Sequence, residues 1–135
     1  MYKTIKVKCG VIMIDKGDIF SILIKIAHQN GLRVLFADFK SSDGRILGKR
    51  IGIRAGMDIG DINYNLAHEL AHYFLHYDKG DIINSPLHDV YEEQADKYAM
   101  KLLRDVAVHL EAQEREKRNA LTRAATLIGA SNPII

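Results

Sequence analysis

Residues 61–77 carry the segment His68-Glu69-Leu70-Ala71-His72 inside a run whose apolar residues Leu66, Leu70, Phe74 and Tyr77 recur at steps of three and four. That period predicts a helix. A helix places His68 and His72 one turn apart on one face, so both imidazoles can reach a single ion. Glu69 falls on the adjoining flank, positioned to accept a proton from water rather than to bind the ion. With six histidines in 135 residues, chance supplies such an HExxH segment only about 0.01 times. Asn65, His68, Glu69, His72 and His76 form a polar stripe opposite the apolar one, and it contains no Lys or Arg. A stripe of that composition fits the lining of a site better than a solvated helix face. His76, one turn beyond His72, is a histidine packed on the helix, a group orienting a ligand, or one stabilising an oxyanion.

A zinc site that keeps one position for water needs a third protein ligand. Downstream stands Tyr91-Glu92-Glu93-Gln94-Ala95-Asp96-Lys97-Tyr98-Ala99. Glu92 and Asp96 lie one helical turn apart on the apolar side of this second helix. One carboxylate would bind the ion, and the other would accept a hydrogen bond from a ligand imidazole and so fix its tautomer. Glu93 sits about 100° from Glu92 on the helical wheel, beside Lys97, Met100 and Arg104. There an i,i+4 pair with Lys97 accounts for it fully. Glu92 shares its face with Ala95 and Ala99, whose small side chains leave room for the first helix. His88, four residues before Glu92, is a competing ligand, whereas His28 and His109 read as ordinary positions.

The remainder of the chain sets the frame. At 47% hydrophobic and 27% charged residues, wholesale disorder is excluded, and 135 residues argue for one domain, 1–135. A net charge of +2 is too small to argue for nucleic acid or an anionic membrane. No apolar run approaches a membrane span, and the single cysteine, Cys9, leans towards a reducing cytoplasm as a packed strand residue. Residues 3–14 read as a strand or an N-terminal extension. Residues 18–29 read as a helix capped by Asp18 and stopped by Gly31, and residues 33–39, 45–47 and 49–54 as short strands. Pro86 marks a loop. Helices are expected over 89–104 and 106–128, the charged stretch 111–119 being a solvated face, with 129–135 fraying. The class is therefore α+β.

HELAHYFLH followed by EEQADKYAMKLL resembles the ImmA/IrrE family of metallopeptidases, whose members show HELGHxLLH and then ExxADxFAxxLL. The resemblance covers roughly residues 18–103. It implies a small zincin-like, gluzincin-like domain, with a short, mostly antiparallel sheet packed on the HExxH helix and a second motif helix, and a further C-terminal helix. It implies one Zn2+ per chain, another divalent ion remaining open, held by His68, His72 and Glu92. Glu69 would be the catalytic base and Asp96 the partner of a ligand histidine. The implied activity is endopeptidase cleavage of a helix-turn-helix repressor of a phage or mobile element, in the cytoplasm, with no direct contact to nucleic acid or membrane. Residues 49–54 offer a strand for an extended peptide to pair with. The chain departs from the family pattern in Ala71 for the usual Gly and in Arg104-Asp105 where Met-Pro usually follows the second motif. No separate sensor or helix-turn-helix domain is expected. Two other readings stand beside this one. The first is a zinc-containing module that docks on a repressor or antitoxin without cutting it. The second is an SprT-like zinc protein whose third ligand would be a histidine, His76, His88 or His109.

Overall fold

The computed structural model describes residues 2–7, 10–40 and 42–129. Cys9 and residues 130–135, and with them the expectations attached to them, lie outside the described residues. The N-terminal stretch is neither a single strand nor an extension. It forms two strands, β1 (Tyr2–Val7) and β2 (Gly10–Asp15), paired antiparallel from Tyr2↔Asp15 to Val7↔Gly10.

Helix α1 (Lys16–Gln29) follows directly. Its cap is Asp15, whose carboxylate accepts from the Gly17 backbone N–H at 2.7 Å, three residues earlier than the expected Asp18. Asp18 sits in the first turn instead, where its charge complements the helix dipole. Ile19, Leu23 and Ala27 form the buried stripe, and Gly31 at φ 74° turns the chain out of the helix.

Strands β3 (Arg33–Ala37), β4 (Gly44–Leu47) and β5 (Arg50–Arg54) make a three-stranded sheet in the order β3-β5-β4. The β5–β4 pair is antiparallel and closes through Gly48 at φ 59°, while β3 runs parallel to β5. Ile51 and Ile53 of β5 are completely buried and point to the helices. This order corrects one expectation. The segment near 49–54 is the central strand, with both edges occupied, so it offers no edge to a peptide.

Helix α2 (Ile59–His76) starts at Asp58, which caps the Asp61 N–H at 2.9 Å. Asn63 donates to the Lys16 carbonyl at 3.0 Å and ties α2 to the start of α1. Leu66, Ala67, Leu70 and Ala71 are fully buried. The polar stripe does not face water either, since Glu69, His72 and His76 are also buried, the two histidines against the last helix and Glu69 under β4. Helix α2 is thus covered on opposite faces, by α1 and the sheet on one and by α3 on the other.

That last helix, α3 (His88–Gly129), is a single element of 42 residues where two were expected. The reason is in the sequence. No Pro or Gly interrupts residues 88–128, and Arg104-Asp105 replaces the proline-bearing ending that would stop a helix after Leu103. A Lys101–Asp105 pair at 2.7 Å spans the expected break. Ala95 and Ala99 are fully buried against α2. Beyond Glu111 almost every residue of α3 is exposed, laced by Glu111–Arg115, Glu114–Arg118 and Glu116–Arg123 pairs. Among the described residues no helix is long and apolar enough to cross a membrane.

Candidate metal centre

The site lies between α2 and the first turns of α3. His68 Nε2 stands 3.1 Å from His72 Nε2 and 2.9 Å from Glu92 Oε2, and His72 Nε2 is 3.3 Å from Glu92 Oε1. Among the described residues this is one group of three whose ligand atoms all lie within 4.8 Å of one another. Four donors set tetrahedrally at 2.0–2.1 Å from zinc are about 3.3 Å apart, so the observed separations fit one ion. The chemistry of the donors points the same way. Asp96 Oδ1 lies 2.9 Å from His68 Nδ1, an ion-pair distance, yet Nδ1 has no aligned hydrogen-bond partner, and the ring's hydrogen-bonding contacts run through Nε2 to Glu92 and His72. Two imidazole nitrogens and a carboxylate gathered this closely form a donor set of the kind that binds a divalent cation. Burial pushes the His72 imidazole's pKa down, against the opposing pull of Glu92, which favours the neutral, metal-binding form.

Glu69 is 6% exposed. Burial, reinforced by the negative charge of Glu92, raises its carboxyl to about 8. A carboxylate with that appetite for protons is suited to general-base work. Its side chain fits under the edge strand at Gly44, where an added Cβ would stand 3.3 Å from Glu69 Oε2 and 3.4 Å from its Cγ. Gly44 and Ile46 share the helix-facing side of β4.

The carboxylates of α3 are less buried than the sequence suggested. Glu92 has a side chain 38% exposed and Asp96 one 53% exposed. Ala95 and Ala99 occupy the contact with α2, and the two acids reach the histidines from its rim. Asp96 is also held by the Tyr64 hydroxyl, which donates at 2.5 Å; burial and then this bond raise the Tyr64 phenol to about 12. Glu93 points to solvent and pairs with Lys97 at 3.1 Å, as the wheel predicts.

Residues 27–131 match the peptidase family described as the IrrE N-terminal-like domain. The chain belongs to that family. No curated protein and no solved structure matches it. Membership supports a metallopeptidase-type function acting on a protein substrate.

The other histidines of this IrrE N-terminal-like domain are placed elsewhere. His88 lies with Nδ1 3.2 Å from the Ile82 carbonyl, outside the three-residue group. His28 and His109 are exposed on α1 and α3. His76 turns away from the cluster, its Nδ1 3.1 Å from His72 Nδ1 and its Nε2 2.8 Å from Gln94 Oε1. That orientation suits orienting a ligand and not holding an oxyanion. Three neighbours were not singled out from sequence. Tyr64 carried a signal, standing one turn before His68. Gly44 and Gln94 carried none, because their contacts arise from strand placement and from the α2–α3 crossing.

Proposed function

We propose that this chain is a zinc-dependent endopeptidase of a single catalytic domain, with His68, His72 and Glu92 as the metal ligands and Glu69 as the base. The observation that carries the reading is the convergence of three ligand atoms beside a buried carboxyl whose proton affinity is raised. Zinc held there supplies polarisation of the scissile carbonyl and a lowered pKa for water. Glu69 takes the proton from the attacking water and passes it to the leaving amine. Asp96, fixed by Tyr64, orients His68. Among the described residues β4 pairs only with β5, so its second edge is available to an extended peptide, next to Glu69.

The substrate we favour, from the motif resemblance, is a helix-turn-helix repressor of a phage or mobile element, met in the cytoplasm. The test is incubation of the zinc-loaded chain with the helix-turn-helix regulator encoded beside its gene. One defined cut, abolished by chelation and restored by zinc, is the expected result. A regulator left intact under zinc-saturating conditions would remove it as the substrate.

The close approach of β4 to Glu69 gives a separate expectation. Gly44→Val adds bulk against the Glu69 carboxylate while touching no metal ligand. Cleavage should fall by roughly 100-fold, the scale of a catalytic group misplaced by about 1 Å. Metal content should stay at the parent's value, and a loss of metal instead would place Gly44 in the wrong relation to the site.

A further inference from the structure

We infer that His76 and Gln94 determine which nitrogen of His72 is free to bind a metal, making Gln94 a positioning residue that acts from outside the site. The inference rests on the metal-centre reading above. A neutral imidazole has one N–H and one lone pair, so the partner of one nitrogen decides the state of the other. Three contacts run in series. Gln94 Oε1 is 2.8 Å from His76 Nε2, His76 Nδ1 is 3.1 Å from His72 Nδ1, and His72 Nε2 is 3.1 Å from His68 Nε2.

An amide oxygen only accepts, so the hydrogen of His76 resides on Nε2. Its Nδ1 is then an acceptor, and the hydrogen between the two rings belongs to His72 Nδ1. That leaves His72 Nε2 with its lone pair, directed at the cluster with His68 and Glu92. The series is protected where it matters, since His72 and His76 are 5% and 4% exposed. The Tyr91 ring packs on His76 with its centroid 4.7 Å away and holds the ring plane. A donor in place of the Gln94 oxygen would reverse every hydrogen in the series and leave His72 Nε2–H facing Glu92. An acceptor at position 94 is therefore the requirement, and His68 lies outside the series' control, its Nε2 contacting Glu92 directly at 2.9 Å.

The experiment compares the parent with Gln94→Met, which keeps the length and removes the acceptor, and Gln94→Glu, which keeps an acceptor. Position 94 is exposed, so neither variant should move the melting temperature. In the metal-free protein, long-range nitrogen–proton correlation spectra should show His72 as the Nδ1–H tautomer in the parent and in Gln94→Glu. Gln94→Met should show a mixture. Zinc affinity, read by competition with a chromophoric chelator, should fall ~10-fold or more in Gln94→Met and be retained in Gln94→Glu. An Nε2–H His72 in the parent overturns the inference. So does a Gln94→Met protein with the parent's spectrum and an affinity within about twofold of the parent's. A parent that binds no zinc overturns the metal-centre reading and the relay's role together. The tautomer spectra need no metal, so the two failures are distinguishable.

Discussion

Glu69→Gln should leave a folded, zinc-loaded protein whose cleavage rate is lower by at least ~100-fold. The substitution changes one oxygen to an amide nitrogen and alters neither length nor the three ligand atoms. What it removes is the capacity to take a proton. Glu69 is well placed to show this, because it is almost wholly buried and, lying under Gly44, has little room for a water to take over its position. Stability should hold or rise slightly, since burial raises the Glu69 carboxyl to about 8, so enclosing it at neutral pH costs the uptake of a proton that the neutral Gln does not require. The measurements are metal content by elemental analysis, melting temperature, and turnover of the helix-turn-helix regulator proposed as substrate. A Glu69→Gln protein that cleaves at the parent's rate would remove the general-base assignment. Full regulatory activity without any cleavage would instead favour a module that acts by docking.

The second large effect is loss of the metal itself. Protein purified without added metal should carry about one zinc per chain. His72→Ala removes a buried nitrogen from the group of three, and Glu92→Gln exchanges its anionic oxygen for a neutral amide. Each should lower zinc affinity by well over ~100-fold, beyond the ~10–100-fold expected for a residue that only orients a ligand. Asp96→Asn should fall within that smaller range, because it removes the negative charge beside His68 Nδ1 and leaves all three ligand atoms in place. Glu93→Gln is the control. It breaks only an exposed pair with Lys97 and should bind zinc like the parent. If Glu93→Gln loses the metal and Glu92→Gln keeps it, both the helix register and the ligand assignment are wrong.

The parts of the site legible in sequence were those governed by helical periodicity. A spacing of four puts His68 over His72, and the wheel separates Glu92 from Glu93, because both statements concern one regular element. The α+β class and most elements followed from the same local patterns. What escaped depended on neighbours. The helix expected to end near residue 104 continues because nothing in Leu103-Arg104-Asp105-Val106 stops it, and an amphipathic pattern that changes face does not itself break a helix. The middle position of β5 could not be read from its own residues, since strand order is a property of three segments together. Asp96 looked buried on the wheel, yet its carboxylate reaches inward from the rim of the α2–α3 contact. The His72–His76–Gln94 series joins residues 18 apart in sequence across that crossing. Its polarity follows from which atom of an amide faces a ring.

The unbroken course of α3 also makes its stability uneven along its length. Its first half is clamped against α2 and acts as a ready-made nucleus, so the exposed half adds turns without bearing the cost of starting a helix. Those outer turns gain only weak charge pairs, and Leu121, Leu127 and Ile128 remain 73%, 84% and 84% exposed. Opening free energy, as backbone hydrogen exchange would measure it, must therefore decline along the helix towards Gly129. The outer turns can unwind one after another while the segment bearing Glu92 and Asp96 stays closed. Two regimes of motion thus share one continuous backbone, divided near Glu111 by packing alone.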